Sequence, residues 1–145
     1  MRFEKKVRVS APPERVWEVA GDPARIGTLS SRLEIEPMSE PAEPASLGSR
    51  YRSALHVGPS PLGAIIEVVA LREARDLAWV TLTGIDHRFR IMVRDDGAGG
   101  SWLTLRFAYD SPGMLGALAD VAAFLPVRAV MLDLLDRVVR EAGRS

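Results

Sequence analysis

A chain of 145 residues with 19 basic and 19 acidic side chains has no net formal charge, so composition offers no general attraction to nucleic acid or an anionic membrane. The absence of cysteine excludes disulfides, thiol catalysis and cysteine-ligated metals, and fits a cytoplasmic setting. A single domain of this length can bury a sizeable core. The opening RFEKKVRVS lacks an apolar signal core, and the most apolar run, MLGALADVAAFLPV, is broken by Asp120 and Pro126, short of the roughly 20 residues of a spanning helix.

The first element alternates. Arg2, Glu4, Lys6 and Arg8 share one side, and Phe3, Val7 and Val9 the other, with Lys5 as the exception. Period two predicts a strand with one wet face. Ser10 can cap a helix after this strand, and Pro12 and Pro13 suit a first helical turn, where a missing N–H has no partner to lose. Val16, Trp17 and Ala20 then fall on one helical stripe, Gly21 suits a terminus, and Asp22-Pro23 starts a second short helix over PARIGTLS. Trp17, on that stripe, reads as a core anchor rather than a ligand reader.

Strand patterns return after Ser31. In RLEIEP, Leu33 and Ile35 alternate with Glu34 and Glu36, and a proline-spaced loop comes next. SRYRSALHV sets Arg50, Arg52, Ala54 and His56 against Tyr51, Ser53, Leu55 and Val57. LGAIIEVVAL and DLAWVTLTGI are apolar strands, the second rich in β-branched and aromatic residues. Both faces around Trp79 look apolar, so parity leaves its side open: inward, Thr81 and Thr83 edge a pocket wall; outward, Trp79 is an exposed aromatic. HRFRIMVR alternates His87, Phe89, Ile91 and Val93 with Arg88, Arg90, Met92 and Arg94. The glycine-rich DDGAGG forms a hairpin loop, and SWLTLRFAY places Leu103, Leu105, Phe107 and Tyr109 on one face.

From Ser111 to about Ala142 the period is helical. Ser111 can cap and Pro112 can open the helix. Val127, Met131, Leu134 and Val138 form one stripe, and Asp133–Arg137 and Asp136–Arg140 are spaced for pairing on the wet side. Pro126 should kink or split the helix. Strand, two short helices, about six further strands and a long helix define an α+β chain: an antiparallel meander whose apolar face the last helix covers.

This order, with the alanine-proline, Val16-Trp17 and Asp22-Pro23 series and the helix entry SPGMLGALAD, resembles the START-like, polyketide cyclase/dehydrase (SRPBCC) superfamily, which includes lipid-transfer domains and birch-pollen-allergen-type proteins. The resemblance implies that residues 1–145 form one domain with a helix-grip fold, a curved sheet of about six to seven strands wrapped around the C-terminal helix, and a cavity between them for a hydrophobic or aromatic small molecule. Some members catalyse cyclisation, dehydration or hydrolysis and many only bind. The family has no universal catalytic motif, so the resemblance assigns no catalytic residue.

Parity supplies candidates. The expected cavity lining is Tyr51, Ser53, Leu55, His87, Phe89, Ile91, Leu105, Phe107 and Tyr109 from the sheet, and Met114, Leu118, Val121 and Leu125 from the small-residue half of the helix. His87 faces inward and is the one weak catalytic candidate, as an acid or base near neutral pH; the alternative is a strand-end histidine with an ordinary hydrogen bond. Its neighbour Asp86 projects oppositely and is a poor orienting partner. Tyr51, Ser53 and Tyr109 can orient a ligand carbonyl or phenol, or satisfy backbone and water at the rim. His56 points out. Arg88, Arg90, Arg94 and Arg106 gather on the outer side with Trp102; they could meet an acidic partner or an anionic ligand, but the reading favoured is a solvated face balanced by Glu4, Glu34, Glu36 and Glu67. Two isolated histidines match no metal-ligand spacing, DDGAGG is neither a calcium nor a phosphate loop, and basic residues interleaved with aromatics are missing, so no metal, cofactor or nucleic acid is expected. Three functions are open: a binding protein, a cyclase or dehydrase that holds a flexible chain in a near-attack conformation, or an interaction module, such as a homodimer, with a filled cavity.

Overall fold

The computed structural model describes residues 1–109 and 116–144, with side chains described for 1–109 and 125–144. Strand β1 (Arg2–Val9) leads into helices α1 (Pro13–Ala20) and α2 (Pro23–Leu29). Strands β2 (Leu33–Pro37), β3 (Arg50–Leu55), β4 (Leu62–Arg72), β5 (Asp76–Gly84), β6 (His87–Asp95) and β7 (Ser101–Tyr109) come next, then helix α3 (Gly116–Ala142). Among the described residues the strands form one antiparallel sheet in the order β1-β7-β6-β5-β4-β3-β2. The chain therefore runs as a meander from β2 to β7, and β1 closes beside β7, with Phe3 opposite Phe107 and Val9 opposite Ser101.

Alternation sets the faces as the sequence predicts. Phe3, Val9, Leu33, Ile35, Tyr51, Phe89, Ile91, Val93, Leu103, Leu105 and Phe107 are all buried on the concave side. Helix α3 lays Val127, Val130, Met131, Leu134, Leu135 and Val138 against that side. Its opposite flank carries the i,i+4 pairs Asp133–Arg137 at 2.9 Å and Asp136–Arg140 at 3.1 Å. Pro126 lies inside α3, which runs through it without a break, so of the two outcomes expected, a kink or a split, the split does not occur. The capping role expected of Ser111 and Pro112 falls outside the described residues.

The α1–α2 corner closes one end of the sheet. Pro12, not Ser10, is the N-cap of α1, with no side-chain cap bond; Pro13 fills the first turn, where its ring fixes the backbone angle. Asp22 caps α2 by accepting from the Ala24 N–H at 2.8 Å, and its second oxygen accepts from the Ala45 N–H at 3.3 Å, tying the proline-spaced loop to the corner. Gly21 ends α1 with φ −85°, outside the left-handed region expected of a helix-ending glycine. Its reason is space: a Cβ there would lie 2.7 Å from the Trp17 ring. Trp17 is half-buried and packs on the core, an anchor of this corner. The 95–100 hairpin is held by Asp96, whose carboxylate accepts from the Ala98 and Gly100 N–H groups and pairs with Arg8 at 2.7 Å; these bonds hold its carboxyl below the usual range. Among the described residues no helix is long and apolar enough to cross a membrane.

Candidate functional site

The concave face is filled unevenly. Where β1 ends and β7 begins, α1, α2 and the C-terminal part of α3 pack it closed, with Val16, Ile26, Val93, Leu103 and Leu134 each at most 2 % exposed. Toward the other end a recess of about 160 Å³ remains between sheet and α3. Its aromatic wall is Trp79, His87, Phe89, Phe107 and Tyr109. Leu33, Ile35, Ser53 and Leu55 of β2 and β3 form a second side, Leu62 to Ala64 with Ile85 a third, and Val127 and Met131 of α3 the cover. No Asp, Glu, Lys or Arg is among these lining residues.

Trp79, whose side the sequence left open, points inward and is 3 % exposed. Its ring stacks on Phe89 with centroids 4.0 Å apart and planes 10° apart. Thr81 does not face the recess: its hydroxyl donates to Asp86 Oδ1 and accepts from the His87 N–H, both at 3.2 Å. Asp86 is thereby engaged by Thr81 and not by the imidazole. Thr83 is exposed.

The His87 ring has both nitrogens engaged. Trp79 Nε1–H donates to His87 Nε2 at 3.1 Å. An indole N–H can only donate, so Nε2 must be the unprotonated nitrogen, which puts the proton on Nδ1, 3.3 Å from the Ile85 carbonyl oxygen. Burial pushes the imidazole below its ordinary value, opposed by the Ile85 hydrogen bond and the charge on Asp86. The lone pair a general base would use is already held by Trp79, so His87 orients the aromatic wall in this arrangement. Phe107 sits beside it at 5.3 Å, and Tyr109 continues the row at 6.1 Å from Phe107.

Of the expected lining, Ser53, Leu55, His87, Phe89, Phe107 and Tyr109 meet at the recess. The Ser53 hydroxyl donates to the Ala64 carbonyl at 3.3 Å, so it serves the β3–β4 edge as well as the wall. Tyr51, Ile91 and Leu105 face inward and are buried, but lie outside the recess. Tyr51 belongs to the end of β3 that pairs with Pro37, near the α1–α2 corner. Burial and the charge of Asp22 raise its phenol above the ordinary value, against a hydrogen bond with Ser49. Leu125 is 62 % exposed, not lining. Helical phase explains it: Leu125 stands about 200° around a continuous helix from the inward Val127. Met114 and the side chains of Leu118 and Val121 lie outside the described residues. Phase counting from Val127 and Met131 finds the cover among the described side chains; Ile85, in a turn, has no periodic signal. Among the described residues no group of three or more His, Asp or Glu comes together to hold a metal.

The chain belongs to the family described as polyketide cyclase/dehydrase and lipid transport, whose profile matches residues 1–143. Solved structures share its fold. A protein from Thermus thermophilus superposes with a TM-score of 0.80 at 14 % identity, covering 98 % of this chain and 97 % of that one. The Zhui aromatase/cyclase from a Streptomyces species gives 0.71 at 22 % identity, covering 99 % and 94 %. A Deinococcus radiodurans protein gives 0.71 at 19 % identity, covering 99 % and 98 %. A search of curated proteins found no significant match.

Proposed function

We propose that this protein binds an uncharged hydrophobic or aromatic small molecule in the recess between the sheet and α3. The observation that carries the reading is the lining itself, aromatic on one side, aliphatic on the other, and without a charged group among the described residues. An ionised ligand would lose its hydration there and find no counter-charge. A flat ring would gain from the edge of the stacked Trp79–Phe89 pair. The recess, about 160 Å³, is close to the roughly 150 Å³ apolar cavity that holds one benzene, so it takes a single ring as it stands. A longer ligand requires α3 to move away from the sheet. Binding needs no metal or cofactor, and the protein acts in the cytoplasm.

The family description and the Zhui neighbour support a second reading, a cyclase or dehydrase acting on such a ligand. Catalysis would then rest chiefly on holding the chain in a reactive fold. His87 could take a proton only after a ligand group displaced the Trp79 N–H.

The binding reading is tested with two neutral probes, indole, followed by titration calorimetry, and N-phenyl-1-naphthylamine, followed by its own emission. Saturable one-site binding of indole, lost in Val127→Trp, is expected, with the larger probe weaker. Failure of both to saturate on a folded protein rejects the reading.

A further inference from the structure

The basic residues of the outer face are not balanced as the sequence suggested. Glu34 meets His56 at 3.4 Å and Glu67 meets Arg50 at 3.1 Å, both toward the β2–β4 side. Glu36 pairs in register with Arg52. Of the four expected glutamates only Glu4 stands among the arginines of β6 and β7, bonded to Arg106. Asp76 is shared between Arg94 at 3.5 Å and Arg90 at 3.9 Å. Arg2 and Arg88 make no ion pair among the described residues.

Arg2, Glu4, Arg88, Arg90 and Arg106 border an open depression of about 740 Å³. Register explains its shape. One row crosses the sheet as Arg2, Ala108, Arg88 and Val80; the next as Glu4, Arg106, Arg90 and Ala78. Small residues make the floor, extended by the half-exposed Val69, and long arginines make the rim. Arg90 and Arg106 stand directly opposite each other on neighbouring strands, Arg106 held by Glu4 and Arg90 by the Asp76 it shares with Arg94, so the charges left for a ligand are chiefly those of Arg2 and Arg88.

We propose that this trough docks an acidic amphipathic helix of a partner protein. Four rim arginines face two carboxylates, Glu4 on Arg106 and Asp76 on Arg90, and the excess at Arg2 and Arg88 selects further carboxylates, which guanidinium groups bind in a bidentate manner. The lining runs across five strands, β1 to β4 in sheet order, a span of about 19 Å at about 4.8 Å per spacing, or about 13 residues of helix. A single phosphate meets only part of a cationic set spread over three strands. A planar bilayer reaches the guanidinium tips but not an apolar floor recessed beneath them. A helix with a small apolar ridge and glutamates on both flanks fills the floor and pairs the rim together.

The test uses the full chain and a fluorescein-labelled 14-residue helical peptide, with alanine and leucine on one stripe and glutamate on both flanks. Saturable binding by anisotropy is expected, weakening at least about tenfold in Arg88→Glu, and again in Ala108→Trp, which fills the floor and leaves every charge in place. Amide shifts on titration should gather on β1, β6 and β7. Thermal melts confirm that both variants fold. Four results overturn the proposal: no saturation at millimolar peptide; equal binding of a peptide with glutamine for glutamate; no effect of Ala108→Trp; or Arg88-dependent sedimentation with phosphatidylglycerol vesicles, which would make the surface a membrane contact.

Discussion

The two ends of the concave face use the same residue types and differ in what covers them. At the α1–α2 end, Val16 and Ile26 descend from the short helices, Leu134 descends from α3, and all are at most 2 % exposed. At the other end the wall is as apolar, but Val127 and Met131 leave about 160 Å³ open above Trp79 and Phe107. Inward facing is thus a property of each strand, whereas filling depends on whether another segment supplies volume at that height. Packing at native density is expected of a core, so the unfilled end is the departure on which the proposed ligand site rests.

The contrast can be broken most sharply by truncation. Leu134→Ala should cost about 4 kcal/mol and Met131→Ala about 2, because a side chain already bordering open space loses fewer contacts. Urea unfolding of both variants measures the gap, and equal losses would mean that the recess is closed in solution.

Next in size is Gly84→Ala, at the turn beside the recess. Gly84 has φ +89°, and a Cβ there would overlap the Gly63 carbonyl oxygen. The change should cost about 2 kcal/mol and shift the amides of Gly63 and Ala64 while leaving those of α1 alone. Shifts spread evenly over the sheet would count against independent ends.

At the packed end Asp22→Ala removes the cap of α2 and should cost about 1 kcal/mol. It should also lower the Tyr51 phenol pKa, since the Asp22 charge helps to raise it. Absorbance titration of the phenol checks this, and an unchanged midpoint would remove Asp22 from the account.

The smallest effect concerns His87. Its folded imidazole is harder to protonate than the unfolded one. The unfolded chain therefore takes up the proton first as pH falls below about 6.5, so the stability that His87 contributes is present above that value and is lost below it. His87→Gln should flatten this part of the stability profile between about pH 7.5 and 5.5. Parallel wild-type and variant profiles would show that the His87 imidazole is not buried in solution.

Much of the fold could be read locally. Alternation placed Phe89 and Arg88 on opposite faces, Asp22-Pro23 announced α2, and the period of Val127, Met131, Leu134 and Val138 gave the buried stripe of α3. The lining of the recess was legible where parity alone decides, at Ser53, Leu55, His87, Phe89, Phe107 and Tyr109. It failed at Tyr51, because parity says which face a residue takes and not how far along the face the gap lies. It failed at Leu125, because the first half of α3 was read in its own phase and not in that of Val127.

What the sequence determined by itself is therefore the set of elements and the facing of their side chains, since both come from backbone geometry repeating every two or about 3.6 residues. Tertiary structure decided the rest: β1 beside β7, the indole of Trp79 on the imidazole of His87, the open end over Val127, and Arg90 facing Arg106 with three of the four expected glutamates, Glu34, Glu36 and Glu67, placed elsewhere. Each of these joins segments distant in the chain, and their meeting is fixed by how whole layers pack, which no local period encodes.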